Sequence, residues 1–540
     1  MAANGMVTTP HYLASQAALK VLQDGGNAVE AAIAAASTIA VVYPQGNSIG
    51  GDNFWLIHDA ASRKTAALNA SGRSGSLATV DFYRSRGMAV IPARGFHAAV
   101  TVPGAVSGWE RAYEYSKDKL AGKQPWKNLL SGAIHYAGAG FPVSTHQGIR
   151  TLIDFNPKDL AFGNLQRFEG ARKTFCDADG QPLQYGQMLR QKDLSQSLGM
   201  IAEEGAAAFY RGDIAAAICR DLRENDGVMT AEDFANHRAD WVEPISVDYR
   251  GFKALNLPPN TQGMAALGIL NVLKEFDLKS IPEGSADYYH LMAEAVKAAF
   301  ADRDEWLTDP EFENIPLDRL LSPAHGAAQA AAIRAQSKAM DSTAIVKGGD
   351  TVWIGVVDKA GNAVSLIQSV CDGFGSGIVA RNTGVLLQNR GKYFQLDDTS
   401  PNRLLPRKRT FHTLIAGMLM KDDAPHLVYG SMGGEGQPQF QTALVTRIVD
   451  YGMSPQEAVD APRWLQGRML DLSQPGTQLH LEGRIPDSVV ATLRRRGHSI
   501  TMMTDYTDAM GHAGAILIDR ETGVLHGAAD PRGDGAAVGF

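Results

Sequence analysis

The sequence predicts a globular α+β fold. Apolar residues recur at helical spacing through most of the chain up to about Arg303, and β-rich runs separated by turn residues recur from Thr351 onward. Two short strands are already readable inside the helical part, at residues 54–57 and 65–68. The 540 residues are 44% apolar and include 56 glycines, a composition that excludes disorder, collagen and coiled coil. This length suits about three to four units of ~150 residues or one large layered core.

The elements can be justified in order. Residues 15–22 keep an apolar face at helical spacing, Gly25 and Gly26 stop that helix, and Asn27 is placed to cap a second one over 28–42, before Pro44. Between Ala105 and Arg303, Thr230 precedes Asp233 by three, a capping signature. Asp287 is expected to cap the helix that carries Leu291, Ala295 and Phe300. No internal repeat occurs at solenoid periods. Residues 323–342 are rich in Ala, Gln and Ser and run into Lys347-Gly348-Gly349-Asp350, so an exposed, flexible connector is expected over about 323–350.

A β-hairpin follows, with runs at 352–357 and 363–370 around turn residues 358–362. Further strands are expected at 384–387, 413–418 and 426–429. Ser454, with Pro455 at the first helical position and Glu457 three residues past the cap, starts a helix, and another runs from Asp487 to Gly497.

Composition also narrows the function classes. There are 51 Lys and Arg against 58 Asp and Glu, a net charge of −7, and no basic run exceeds Arg494-Arg495-Arg496. That balance leaves no footprint for nucleic acid or an anionic membrane, and small solutes are the expected partners. Cys176, Cys219 and Cys371 form no C-x-x-C pair, so neither a disulfide framework nor a zinc cluster is encoded, and a reducing compartment fits. The first residues lack a basic segment followed by an apolar run, and the longest apolar stretch, about 31–42, is short and Ala-rich. The expected location is cytoplasmic.

Several motifs carry candidate chemistry. Gly46-Asn47-Ser48-Ile49-Gly50 matches the G-x-S-x-G elbow of serine hydrolases, but Pro44 precedes it and an aromatic strand rather than a helix follows, so it reads as a Gly-rich turn. Gly373, Gly375 and Gly377 lack the Lys and the strand-loop-helix context of a phosphate loop. The fourteen histidines include no H-E-x-x-H, and no metal or other cofactor is expected. His412 reads on position alone as a core or rim histidine. Thr351 is, on position alone, a linker residue that starts a strand. Its chemical reading is more specific. A β-hydroxyl beside the preceding carbonyl can attack it, take over the acyl group and, after ester hydrolysis, leave a free α-amine as base for its own hydroxyl. Gly433-Gly434, after a strand, can present backbone N–H groups to an oxyanion, or can simply be a turn.

Collinear segments over nearly the whole chain resemble the γ-glutamyltranspeptidase family of N-terminal-nucleophile hydrolases. They are Gly25-Gly26-Asn27-Ala28-Val29 with the Ala-rich helix, Ile49-Gly50-Gly51-Asp52, Val102-Pro103-Gly104-Ala105-Val106 and Asp530-Pro531-Arg532. The resemblance implies a four-layer αββα sandwich made as one proenzyme and cut between Asp350 and Thr351. The products would be a large subunit, 1–350, and a small subunit, 351–540, interwoven in one unit. It further implies Thr351 as nucleophile, Ser369 as a supporting hydroxyl, Gly433 and Gly434 as oxyanion donors, and Arg73 as the grip on a substrate carboxylate.

The departures from the family pattern bear on substrate. Tyr393 stands where γ-glutamyl enzymes have an amine-binding acid, Arg390 stands at the nearby amide position, His412-Thr413 replace two carboxylate-binding serines, and Cys371 replaces an Asn, while Lys408-Arg409 keep the basic pair. Loss of amine recognition, with Arg390 and His412 added, favours a small anionic amide without an α-amino group. This combination is similar to a branch that includes oxamate amidohydrolase. The expected activity is therefore cofactor-free amide hydrolysis, oxamate to oxalate and ammonia first. The alternatives are γ-glutamyl transfer or hydrolysis of glutathione-like amides, and glutaryl-type deacylation. A non-catalytic binder of small acids is disfavoured by the joint presence of Thr351 and Gly433-Gly434. The two fragments of one precursor are expected to stay together, with a homodimer of that pair as a further assembly.

Overall fold

The hairpin after residue 350 is the centre of the fold. In the computed structural model, which describes residues 1–158, 163–336, 338–342, 345–346, 350–469 and 476–540, Asp350–Val357 pairs antiparallel with Ala363–Cys371. Every residue of both strands is buried, which requires cover on both faces. Alternation supplies it. Val352, Ile354 and Val356 point into a core shared with the helices Tyr12–Gln23 and Ala28–Val42. Trp353 and Val357 point the other way, into a core shared with Phe54, Leu56, Ile367, Met418 and Val428.

Among the described residues, seven strands form the first sheet. They run in the order Ala536–Gly539, Met6–Thr9, Asp350–Val357, Ala363–Cys371, Asp52–Asp59, Lys64–Ala70 and Asp240–Val242. The second sheet runs Leu525–Ala529, Ala513–Ile518, Ala424–Ser431, Gly417–Lys421, Phe252–Asn256 and Ile245–Tyr249. Its outer face packs on the helices Gly263–Leu273, Ala286–Trp306 and Gln437–Val449. The result is a four-layer αββα sandwich in which each sheet draws strands from both sides of residue 350.

Trp353 sets the spacing between the sheets. Its indole N–H donates to Ser365 Oγ at 2.9 Å. A Cβ at Gly355, Gly430 or Gly514 would lie 2.5, 2.1 or 2.6 Å from the ring, so only glycine leaves room for the indole.

Most helix ends follow the local signals. Asn27 and Glu30 close a capping box on Ala28–Val42, as do Thr230 with Asp233 and Ser454 with Glu457. Four expectations need correction. Ser285, not Asp287, caps Ala286–Trp306, because its hydroxyl reaches the Tyr288 N–H. The expected connector begins as a helix, Pro323–Arg334, capped by Ser322 and anchored through buried Gly326, Ala330 and Ile333; residues 343–344 and 347–349 lie outside the described residues. Residues 384–387 form only isolated bridges, Val379 to Leu386 and Gly50 to Leu387. The strand expected from Thr413 begins at Gly417. Before it, side-chain amides replace ladder partners: Gln437 accepts from the Ile415 N–H, and Gln441 and Gln262 donate to the carbonyls of Ile415 and Thr413. No helix among the described residues is long and apolar enough to cross a membrane.

The inter-sheet wedge gives a first prediction. Trp353→Ala should lower the unfolding free energy by about 3–5 kcal/mol, the scale for emptying a buried aromatic site. A denaturant titration of the Thr351→Ala chain would measure it, and a loss below about 1 kcal/mol would remove Trp353 as the wedge.

Candidate active site

Thr351 stands at an irregularity in the central ladder. Asp350 pairs with Cys371 and Val352 with Gln368, so Ser369 and Val370 together face the single residue Thr351. The extra residue brings Ser369 to the junction. Thr351 Oγ donates to Ser369 Oγ at 3.1 Å, and Ser369 Oγ donates to the Asp350 carbonyl at 2.7 Å while accepting from the Cys371 N–H at 2.8 Å. Thr351 and Ser369 are both buried. The Tyr43–Gly46 turn walls the site, and a Cβ at Gly46 would lie 3.4 Å from the Thr351 nitrogen.

Gly433 and Gly434 follow the strand Ala424–Ser431 and precede the helix Gln437–Val449. Their φ angles of 124° and 56° are positive, which accounts for glycine at both. Gln262 holds this turn against the neighbouring segment, its amide donating to the carbonyls of Gly434 (3.0 Å) and Thr413 (2.9 Å). The turn therefore sits at a helix N-terminus, where N–H groups and the helix dipole favour an anion.

The turn Arg390–Tyr393 is tied to the same strand end. The Asn389 N–H donates to the Val370 carbonyl, and its side chain accepts from the Asp372 N–H. Arg390 is buried at 1% exposure and donates through Nη1 to Thr413 Oγ at 2.8 Å, while its Nε and Nη2 have no partner among the described residues. Those two nitrogens form one edge of the guanidinium, the edge that binds a carboxylate in bidentate fashion. Tyr393 is also buried, and burial, with Glu435 adding to it, pushes its phenol well above the ordinary range, so it stays neutral.

His412 is not a second cation. Burial, with Arg390 and Arg409 nearby, drives its pKa well below the ordinary value. The Leu414 N–H points at its Nδ1 (3.4 Å), so the ring proton is on Nε2, which donates to Asp52 Oδ2 at 3.1 Å. The other Asp52 oxygen accepts from the N–H groups of Gly72 and Gly104, each at 3.0 Å. Asp52 is directly opposite Ser369 in the ladder. Positive charge at this end of the site therefore comes from Arg390.

Arg73 follows Gly72, whose N–H donates to Asp52, and it pairs with Asp309 (3.6 Å) and Glu311 and donates to the Arg407 carbonyl, on the wall of a cleft of about 760 Å³. That cleft is also lined by Arg407, Arg409, Asp240 and Asn260, and not by Thr351. Lys408 and Arg409 are buried beside it. The other motifs resolve as turns. Ser48 is buried and accepts from the Gly50 N–H, and the carbonyls of Gly373 and Gly375 converge on Arg94, the reverse of a phosphate loop.

Sequence reasoning missed a buried polar group on the Asp350 side of the Asp350–Thr351 bond. Arg150 Nη2 lies 3.0 Å from Asp350 Oδ2, with Asp154 and Asp508 close to the same guanidinium. Tyr43 Oη is shared by His146 (2.8 Å) and His512 (3.2 Å). These residues come from segments more than 100 residues apart and form no local pattern. Asp52, by contrast, lay within a recognised segment without a role.

A family model described as gamma-glutamyltranspeptidase matches residues 14–540. The chain is 45% identical over 536 residues to the glutathione hydrolase-like YwrD proenzyme of Bacillus subtilis, covering 99% of this chain and 98% of that protein. It is 41% identical over 538 residues to the oxamate amidohydrolase proenzyme of Klebsiella pneumoniae, covering 99% and 98%. Among solved structures, cephalosporin acylase from Bacillus halodurans superposes with a TM-score of 0.91 at 36% identity, covering 100% of this chain and 96% of that one.

Asp52 supplies a prediction. Burial raises its carboxyl to about 6, against the opposing effects of Arg390 and the two glycine N–H donors. A carboxyl that binds its proton more tightly in the folded chain than in the unfolded one loses stability as pH rises from about 4 to about 6. Asp52→Asn abolishes that titration. The stability of wild type relative to Asp52→Asn, both in the Thr351→Ala background, should fall by on the order of 2–3 kcal/mol across this window and stay level above it. A difference that rises with pH contradicts a carboxyl held above its ordinary range.

Proposed function

The chain belongs to the gamma-glutamyltranspeptidase family of amide-cleaving enzymes, and from that premise we propose that it cuts itself between Asp350 and Thr351 and then hydrolyses the amide of a small carboxylate-bearing substrate. In the first step Thr351 Oγ adds to the Asp350 carbonyl carbon, the bond to the Thr351 nitrogen breaks, and the hydroxyl proton passes to that nitrogen. Water then hydrolyses the ester, leaving Asp350 as a new carboxyl end and Thr351 as a new amino end. The hydrogen bond from Ser369 Oγ to the Asp350 carbonyl supports this step, because it polarises the carbon under attack. The proenzyme names of the two relatives point the same way, and the large and small fragments remain joined through shared sheets.

In turnover the freed α-amine, with an ordinary pKa of about 7.7–8.0, takes the proton from the Thr351 hydroxyl and returns it to the leaving amine. Gly433 and Gly434 receive the oxyanion, and water resolves the acyl-enzyme. The substrate assignment rests on the Nε–Nη2 edge of Arg390, a buried guanidinium edge without a hydrogen-bond partner among the described residues and of the shape that a carboxylate matches. Arg390 takes the role that the sequence suggested for Arg73, whose charge Asp309 and Glu311 already match. Among the described residues, the groups around Arg390 offer a γ-glutamyl ammonium no unengaged acid: Tyr393 is neutral, Asp52 is taken by His412, Gly72 and Gly104, Asp372 pairs with Lys392, and Glu435 pairs with Arg303. Oxamate, whose carboxylate adjoins its amide, is therefore the first candidate. The cytoplasm is its proposed setting.

Competition kinetics test this reading. Oxamate and other amine-free anionic amides should show a higher kcat/KM than γ-glutamyl amides. Arg390→Lys should lower it for oxamate by roughly 10- to 100-fold, since an ammonium cannot reproduce the two-point contact of a fork. A preference for γ-glutamyl amides would overturn the substrate assignment and leave the Thr351 chemistry standing.

A further inference from the structure

The buried group around Asp350 has no part in the turnover chemistry above, yet it holds the residue whose carbonyl is to be cut. Asp350 is gripped at two points. Its carbonyl accepts from Ser369 Oγ at 2.7 Å, and its carboxylate Oδ2 faces Arg150 Nη2 at 3.0 Å. Arg150 projects from the helix Thr145–Asp154, where Asp154, one turn on, lies 3.5 Å from the same Nη2, and Asp508 lies 3.8 Å from Nη1. The backbone is shaped to admit this contact. A Cβ at Gly373 would come within 2.5–2.9 Å of Asp154 Oδ2, Arg150 Nη2 and Asp350 Oδ2 together, so the residue there must be glycine for the ion group to close.

We infer that Arg150 is a positioning residue for self-cleavage: through the Asp350 carboxylate it fixes the scissile peptide so that the Asp350 carbonyl stays on Ser369 and in reach of Thr351 Oγ. The inference rests on the self-cleavage reading above. A residue anchored only at its carbonyl can still swing about its own φ and ψ, whereas one anchored at both ends holds the carbonyl carbon in one attitude towards the attacking oxygen. The clamp needs a buried cation near Oδ2 and not a fork, because Arg150 reaches that oxygen as a charge contact without an aligned hydrogen bond. Burial pushes the Asp350 carboxyl upward and Arg150 opposes that shift, so the arginine favours the charged form it grips.

The test follows disappearance of the 57.9 kDa chain on denaturing gels after cell-free synthesis, comparing wild type, Thr351→Ala, Arg150→Ala, Arg150→Lys, Asp350→Ala and the Arg150→Ala/Asp350→Ala double variant. Arg150→Ala and Asp350→Ala should each slow the cut by about tenfold or more, within the ~100-fold that a misplacement of 1 Å can cost. The double variant should be no slower than the slower single, and Arg150→Lys should recover most of the rate. A wild-type rate in Arg150→Ala, or single effects that multiply in the double variant, overturns the clamp. Cleavage of Thr351→Ala at the same bond would instead overturn the self-cleavage reading beneath it. Near-ultraviolet circular dichroism of the uncut variants separates a slow cut from a failed fold: a folded, slow Arg150→Ala supports the clamp, and an unfolded Arg150→Ala whose Lys counterpart folds but does not cut contradicts it.

Discussion

The bond between Asp350 and Thr351 lies inside a β-ladder that is buried on both faces, and that constraint orders the rest of the site. A strand in such a position can shift neither its register nor its side-chain parity without exposing apolar residues on two sides. The single irregularity in the pairing, two residues opposite one at Thr351, is therefore held in place by the surrounding cores. It brings the hydroxyls of Thr351 and Ser369 and the Asp350 carbonyl into one hydrogen-bonded set. Trp353, two residues on, locks the same strand against the opposite sheet, whose Gly430 lies three residues before the Gly433 turn. Thr351 and the glycine turn are thus carried by two sheets that share one wedge.

Charge is divided across this strand end. On one side three carboxylates, Asp154, Asp350 and Asp508, surround Arg150. On the other, Arg390 presents an unpartnered edge beside neutral Tyr393 and neutral His412. Burial makes both sides matter, since charge interactions are screened far less there than in water. A basic residue introduced by sequence need not act as a cation: Arg390 does because a guanidinium keeps its proton, and His412 does not because burial removes it.

Much of this was legible in the sequence, for local reasons. The capping boxes at Asn27 and Ser454 and the hairpin around residues 358–362 follow from side chains that bond to backbone a few positions away. Thr351 and Gly433-Gly434 stood out from their local context beside strands, and Ser369 through family resemblance. What was hidden depends on distant contacts. Pro323–Arg334 buries a narrow stripe of Gly326, Ala330 and Ile333, mostly small residues that gave little amphipathic signal, so Ala-rich composition read as a connector. Residues 413–416 carry strand-like side chains but take hydrogen bonds from Gln437 and Gln441 of one helix and from Gln262 at the start of another. Arg150 and Asp508 meet across more than 300 residues of sequence. Arg73 matched a motif, but its surroundings, Asp309 and Glu311, come from elsewhere in the chain.

The measurement that bears most directly on the central claim is intact mass with amino-terminal sequencing of the purified, active protein. The account requires two fragments, the smaller beginning at Thr351 and together making up the 57.9 kDa chain. Active protein that retains the single uncut chain, or a small fragment that begins at any other residue, would contradict it.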